Sequence, residues 1–324
     1  MAPDTPGDQP PLDALVRPLG ELLDAEPLTG GMFASTYRVT LDSGLLVVVK
    51  LTATDIGGLC RYERGIAQTE ARTYTMLAQH ELPVPDLLLT DFSRTIVDAD
   101  VVVTSHVAGA PWSECNLDRV EAARVRRGLG SLMARMHRIH PPAFGYPAPQ
   151  ANMRAATWSA AFTAMVDGIL QDAASASTTL PTAGIRDAMT RHAPALDAVK
   201  RPAVVHNDLW PANLFLDQRG SITGVIDTER TVWGDPLLDL IGADQLGLWD
   251  IDPDLLAGNS AAGGVLSTEL GSPTGIVRFA LYRLYYSLIL ATEIDIRGYD
   301  AEWVPAHRER AHTLIDASLG RLLT

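Results

Sequence analysis

The run His206-Asn207-Asp208-Leu209-Trp210-Pro211-Ala212-Asn213 sets a carboxylate five residues before a carboxamide, after an apolar Ala203-Val204-Val205. One tight loop can bring the two side chains together. A hydroxyl that attacks phosphorus needs a carboxylate beside it to orient it and take its proton, and a metal–phosphate centre needs oxygen ligands of the kind an Asn amide supplies. His206 reads as a brace for that loop. A second carboxylate, Asp227, ends the strand-like Ile222-Thr223-Gly224-Val225-Ile226 and so projects from a rigid element, which suits a Mg²⁺ ligand. Asp235-Pro236 reads as a helix start, with Asp as N-cap and Pro at the first helical position. Asp239 falls on that helix, and both acids read as braces of the loop.

Three weaker signals precede these. Lys50 ends an apolar run, Leu45-Leu46-Val47-Val48-Val49, and a lone charge on a buried strand must be paired. Glu70 lies on the helix that follows and could fix that ammonium for phosphate contact. Upstream, Gly30 and Gly31 with Ser35 and Thr36 form a turn whose amides and hydroxyls can approach phosphate oxygens.

The elements that must position these residues follow from periodicity. Residues 13–25 read as a short helix interrupted near Pro18, and 26–31, 35–41 and 45–52 as strands. Residues 64–80 read as a helix stopped by Pro83 and Pro85. LLLTDF and VVVTSHV add two strands. Beyond residue 107 the chain turns helical: 117–139 with Asn116 as N-cap, then 156–175 and 184–199. Short strands return at 213–217 and 222–227, and 235–324 is helical except for a Gly-rich loop around 257–264. The expected organisation is a leader over 1–12, a β-rich part over 13–107 and a helical part over 108–324.

Composition bounds the function. The 324 residues are 47% hydrophobic and 20% charged, and no apolar run spans a bilayer, so a membrane protein is excluded. The formal charge of −13 disfavours a phosphate backbone as partner, hence no nucleic acid. Cys60 and Cys115 are far apart and in no CxxC arrangement, so both read as free thiols. The acidic, Pro-rich start has no basic or apolar signal region, and the expected location is cytoplasmic. Of 26 basic residues only Lys50 and Lys200 are lysines, which leaves 24 arginines.

In order and spacing, GGMFASTYRV, VVVK, TEARTYTMLAQHELPVP, HNDLWPAN and VIDTERTVWGDPLLDL resemble the aminoglycoside phosphotransferase and choline kinase family. The resemblance runs from about residue 26 to 245. It implies an α+β, bilobal, protein-kinase-like fold, and transfer of a phosphoryl group from ATP or GTP to a hydroxyl of a small molecule. Carried over, Lys50 holds the α- and β-phosphates and Glu70 positions it. Asp208 orients the acceptor hydroxyl, Asn213 and Asp227 hold Mg²⁺, and Ser105-His106-Val107 meets the purine edge through its backbone. The sequence departs from the family at Asn207, where glycine is usual, and at Thr228, where an aromatic residue or glycine is common.

The rivals are weaker. A protein kinase needs a long segment after the metal aspartate, and only seven residues separate Asp227 from Asp235. A pseudokinase typically lacks one of Lys50, Asp208 and Asp227, and all are present. A metal hydrolase on His137 and His140 has no matching carboxylate or thiol. The acceptor is expected to be an aminoglycoside or another antibiotic, with Asp250, Asp252, Asp254, Glu293, Asp295, Asp300 and Glu302 as candidate acidic walls and Trp249, Tyr299 and Trp303 as candidate stacking groups. A metabolic kinase for choline, a sugar or homoserine is the alternative. The sequence specifies no oligomeric state.

Overall fold

The structure, a computed structural model, describes residues 10–28, 34–53 and 58–324. Gly30 and Gly31 lie outside the described residues, as does most of the expected leader. The chain is already folded at Leu12. Helix α1 (Leu12–Val16) is followed by strands β1 (Leu22–Leu28), β2 (Ala34–Leu41) and β3 (Leu46–Thr52), helix α2 (Ile66–Ala78), and strands β4 (Leu87–Asp91) and β5 (Asp100–Ser105). The five strands form one antiparallel sheet in the order β1-β2-β3-β5-β4.

The expected helix over 13–25 is corrected: it stops at Val16, and Leu22–Leu28 pairs with β2. Pro18 breaks the helix, and pairing with the sheet overrides the helix propensity of Glu21–Ala25. Pro27 is tolerated because β1 is an edge strand. The short helix stays because Leu12, Leu15 and Val16 bury against Val39, Val47, Val49, Leu51, Val101 and Val103. Each such side chain contributes about 1.5–3 kcal/mol by leaving water. The opposite face of β3 and β5 carries Lys50 and Val102, and Val102 packs on Ala67 and Ala71 of α2.

The helical region is built from α3 (Arg119–Met136), α4 (Trp158–Ser175), α5 (Thr182–Leu196), α6 (Leu238–Ala243), α7 (Pro253–Ala261), α8 (Leu266–Leu270), α9 (Pro273–Ile296) and α10 (Val304–Leu323). Short strands β6 (Ala110–Pro111), β8 (Leu214–Leu216) and β9 (Ile222–Val225) form one sheet. Strands β7 (Ala203–Val205) and β10 (Val232–Gly234), not foreseen as strands, pair antiparallel. The N-cap of α3 is Asp118, not Asn116. Its carboxylate accepts from the amides of Val120 and Glu121, and Glu121 reaches back in a capping box.

The Gly-rich stretch at 257–264 is not a loop but mostly helix α7. Its glycine serves packing: a Cβ on Gly258 would lie 2.0 Å from the carbonyl oxygen of Arg127, and one on Gly130 of α3 would lie 2.0 Å from that of Leu255. The two helices touch backbone to backbone. The central helix α9 is buried nearly all round, as its continuous apolar sequence requires. No described helix is long and apolar enough to cross a membrane.

One buried polar column ties this core to the loop after β10. Trp158 Nε1 donates to Tyr282 Oη at 2.6 Å, Tyr282 Oη donates to Asp235 Oδ2 at 2.6 Å, and Arg278 pairs with the same carboxylate. Asp235→Ala removes the buried acceptor of Tyr282 and one of the two carboxylates of Arg278, which keeps Glu269, and should cost roughly 1.5–3 kcal/mol in denaturant unfolding. An unchanged midpoint would show the column to be dispensable.

Candidate active site

Lys50 stands where the sheet, α2 and the turn after β9 meet. Its Nζ donates to Asp227 Oδ1 and Glu229 Oε2, each at 2.6 Å, and to Glu70 Oε1 at 3.3 Å. Burial opposes the ammonium, but Asp227, Glu229 and Glu70 hold its pKa well above the usual lysine range. Burial pushes Glu70 up to about 7 against the pull of Lys50, and Lys50 keeps Asp227 below the usual carboxylate range. Thr36 lies directly across from Lys50 in the β2–β3 register and shares its face. Ser35, one residue along, belongs to the other face, paired with Leu51.

The α2 helix is pinned to the turn that carries Asp227. Tyr74 Oη donates to Glu70 Oε1 at 3.2 Å and accepts from the amide of Asp227 at 2.9 Å, while Thr228 Oγ1 donates to the Glu70 carbonyl at 3.2 Å. Asp227 has φ 62°, a left-handed conformation that Asp tolerates better than most residues. That turn directs Asp227 and Glu229 to one ammonium. Glu229 was not among the expected site residues. Its signal was present in the sequence: a carboxylate two residues past a strand-ending aspartate.

The Asp208 loop is braced from below. His206 Nε2–H donates to the Ile226 carbonyl at 3.0 Å, so the ring ties the two functional loops together. Burial lowers its pKa, so the ring is neutral at pH 7. Asp239 accepts from the amide of Asn207 at 2.8 Å and holds His137 at 2.7 Å, while His140 donates to the Pro202 carbonyl. The two histidines thus buttress the fold. Asn213 Nδ2 donates to the backbone carbonyl of Asp208 at 2.9 Å and to its Oδ2 at 3.0 Å. A carboxylate can only accept, so the amide's NH₂ faces Asp208 and its oxygen remains available to a cation. Gln245 Nε2 donates to Asp208 Oδ1. Burial raises Asp208 to about 7, with Arg230 opposing and Asp227 and Glu229 adding to the rise.

The segment Ser105-His106-Val107 leaves the sheet toward the helical region. The amides of Ser105 and His106 donate to the carbonyls of Asp86 and Leu46, at 2.9 and 3.1 Å. Val107 is left as the amide this segment can offer to a purine edge. Lys200 is exposed.

Arg230, Gln245 and Tyr74 are further site residues that pattern reasoning passed over. Arg230 bonds both oxygens of Glu293, at 3.0 and 3.1 Å, and its guanidinium lies 5.7 Å from the Tyr62 ring centre. Arg297 bridges Glu293 at 2.9 Å and Glu63 at 2.6 Å. Both cysteines are free, and Cys60 is buried.

The model of the phosphotransferase enzyme family matches residues 24–270. The chain belongs to this family. It is a small-molecule phosphotransferase with a sheet-containing N-terminal region and a helical C-terminal region, as in the related kinase-like structures. A solved structure of a thermostable mutant of aminoglycoside phosphotransferase APH(4)-Ia, in complex with ADP and hygromycin B, is 18% identical with a TM-score of 0.65. The match covers 95% of this chain and 97% of that one. A macrolide 2'-phosphotransferase from Brachybacterium faecium is 19% identical with a TM-score of 0.56, over 94% and 97% of the two chains. No curated protein matches the chain in sequence.

Asn207 also takes a left-handed conformation, φ 64°, and α6 presses against it: a Cβ on Gly242 would lie 2.4 Å from the Asn207 carbonyl carbon. The family's usual glycine and this asparagine therefore answer the same backbone demand. Asn207→Gly should keep stability within about 1 kcal/mol, whereas Asn207→Val should lose roughly 1–3 kcal/mol. Thermal unfolding of the two variants checks this; equal losses would refute it.

Proposed function

We propose that the chain transfers the γ-phosphoryl group of ATP, or GTP, to a hydroxyl of a small molecule with Mg²⁺, in the cytoplasm. One observation carries the reading: Asp208 and Asn213 are hydrogen-bonded in one loop, beside an Asp227 that already holds the ammonium of Lys50.

The residues present fit the metal and nucleotide. Three carboxylates, Glu70, Asp227 and Glu229, surround a single ammonium, so the cluster carries surplus negative charge that a cation would neutralise. The oxygen of Asn213 adds a hard neutral ligand. Among the described residues no group of three or more His, Cys, Asp or Glu side chains forms a metal cage. That suits Mg²⁺, which is held by one or two carboxylates and keeps waters and phosphate oxygens for the rest. Asp227 and Asn213 would hold the metal, with Glu229 adjoining.

Bound Mg²⁺ and nucleotide supply the electrophilic phosphoryl group and neutralise its spreading charge. Lys50 holds the α- and β-phosphates from its strand, and Glu70, locked by Tyr74, fixes the direction of the ammonium. Thr36 can add a hydroxyl from the same face, and Val107 its amide to the base. Asp208 accepts a hydrogen bond from the acceptor hydroxyl, holds it in line and takes its proton. Arg230 beside Asp208 keeps enough carboxylate ionised near neutral pH for that role.

The acceptor is proposed to be a hydroxylated antibiotic, with an aminoglycoside the first to test and a metabolite such as choline, a sugar or homoserine as the alternative. The net charge of −13 argues against a nucleic-acid partner.

Asp208→Ala should lower phosphoryl transfer by about 10²- to 10⁴-fold while nucleotide binding persists. Near-normal turnover of the variant would sink the assignment. Mg²⁺-dependent ATP hydrolysis without acceptor should be lost in Asp227→Ala. Because Asp208 sits near 7 and acts ionised, kcat/KM should climb with pH below about 7 and level off above it. A profile flat from pH 5.5 to 8 would argue against Asp208 as the base.

A further inference from the structure

Asp208 is 8% exposed, and amides grip both oxygens of its carboxylate. Asn213 Nδ2 donates to Oδ2 at 3.0 Å from the same loop. Gln245 Nε2 donates to Oδ1 from a different element, the turn after α6. Charged groups also surround Asp208: Arg230 favours its ionised form, and Asp227 and Glu229 oppose it. Among the described residues, however, only the two amides hydrogen-bond its side chain. A carboxylate held at one oxygen can still swing about its Cβ–Cγ bond. Held at both, its plane is fixed. Each oxygen has two lone pairs, so the amides leave room for a further donor such as an acceptor hydroxyl.

The turn that carries Gln245 is not held by regular structure. Helix α6 ends at Ala243, and Asp244 leaves it with φ −141° and ψ 74°. Asp244 and Leu246 are exposed. Two arginines hold the backbone instead. Arg283 of α9 donates from Nη1 to the carbonyls of Asp244 and Gln245, at 2.6 and 3.2 Å. Arg310 of α10 donates from Nε to that of Leu246, at 2.9 Å.

The Arg283 clamp is costly. The side chain is fully buried, its Nε and Nη2 have no hydrogen-bond partner, and no carboxylate pairs with it among the described residues. Burial pushes its guanidinium down to about 10, with Asp244 opposing. A buried cation satisfied at one nitrogen only lowers stability, and local costs of this kind concentrate at functional sites. What Arg283 holds is the root of Gln245, and what Gln245 touches is Asp208.

We infer that Gln245 is a positioning residue for Asp208, and that its amide fixes the plane of the carboxylate that receives the acceptor hydroxyl. This rests on the proposed role of Asp208 as the base. Transfer needs a carboxylate lone pair, the hydroxyl and phosphorus in register, and an error of about 1 Å can cost on the order of 10²-fold in rate. Asn213 supplies one point of attachment, and Gln245 supplies the second.

The test uses the full chain with Mg²⁺ and ATP against kanamycin, hygromycin B, erythromycin, choline and ribose, with mass-spectrometric detection of phosphorylated product. The acceptor turned over fastest serves for kinetics. Gln245→Leu should lower kcat about 10- to 100-fold, with acceptor KM and nucleotide Kd within about twofold of wild type. Gln245→Glu keeps the length of the side chain but has no donor once ionised, and should lose as much. In an Asp208→Ala background, Gln245→Leu should lower transfer by less than about twofold further, because its partner is already gone. The contact itself is read without an acceptor, by NMR of a chain isotope-labelled at its glutamine side-chain nitrogens. The amide signal that Gln245→Leu removes should shift in Asp208→Ala. Wild-type kcat in Gln245→Leu or Gln245→Glu, additive losses in the double variant, or an amide signal indifferent to Asp208→Ala overturns the inference. Failure of the base assignment is distinguishable: Asp208→Ala would keep near-normal turnover although the Gln245 amide signal shifts.

Discussion

An ammonium buried among carboxylates sets the position of everything around it. Lys50 would be costly in its strand without partners, and its three partners come from two other places: Glu70 from α2, and Asp227 and Glu229 from the turn after β9. Satisfying one charge therefore forces the sheet, the helix packed on it and a loop of the helical region into one corner. The arrangement is asymmetric in a useful way. Burial lifts Glu70 and Glu229, while Asp227, in direct contact with the ammonium, is kept ionised. Three acids against one base leave the corner electronegative. If Mg²⁺ binds there as proposed, it would offset that surplus.

Arginine plays the matching part around Asp208 and in the helical core. A planar guanidinium can bond two carboxylates at fixed angles, which an ammonium on a flexible stem cannot do as well. Arg297 joins Glu63 to Glu293, Arg230 joins Glu293 to the surroundings of Asp208, and Arg278 joins Asp235 to Glu269. The arginine-rich composition, in which lysine survives at two positions, is thus put to structural use in the helical core. Of the acids counted as a wall for cations, Glu293 is spent inside the protein, and Asp252, Asp254 and Asp295 are paired with arginine nearer the surface.

Much of this was legible in the residues. The β-strand bearing Lys50, the helix bearing Glu70 and the spacing from Asp208 to Asn213 all rest on local patterns, and local patterns survive folding. The expected helix start at Asp235-Pro236 is corrected: α6 begins at Leu238 with Leu237 as its N-cap, and Asp235 instead accepts from the Leu237 amide in the turn before it. What escaped detection depends on contacts between distant segments. Glu21–Ala25 has good helix formers, and only an available sheet edge makes it a strand. Gly258 looks like a loop glycine until the backbone of α3 lies against it. Gln245 and Arg230 carry no motif of their own; their importance comes from which carboxylate each happens to face. Four of the seven acids expected as walls are paired with arginine for the same reason, since a charge count along the chain cannot show which arginine folds onto which acid.

The two sides of the site are also joined through the chain. Residues 60–63 precede α2 in sequence, yet Cys60 and Tyr62 pack in the core of the helical region. Arg61 is fixed to Asp172 of α4, and Glu63 to Arg297 at the end of α9. The segment lies between the strand that bears Lys50 and the helix that bears Glu70. The geometry of that ion pair is thus set by the sheet and also by an anchor on the end of α9. The anchor continues through Arg297, Glu293 and Arg230 to the neighbourhood of Asp208. Any tilt of the sheet against the helices must strain buried charge pairs that have no water to replace the lost partner. A displacement of Glu293 and Arg230 is therefore passed to the segment that positions Lys50 and Glu70, so the surroundings of Asp208 and of Lys50 cannot be reshaped independently.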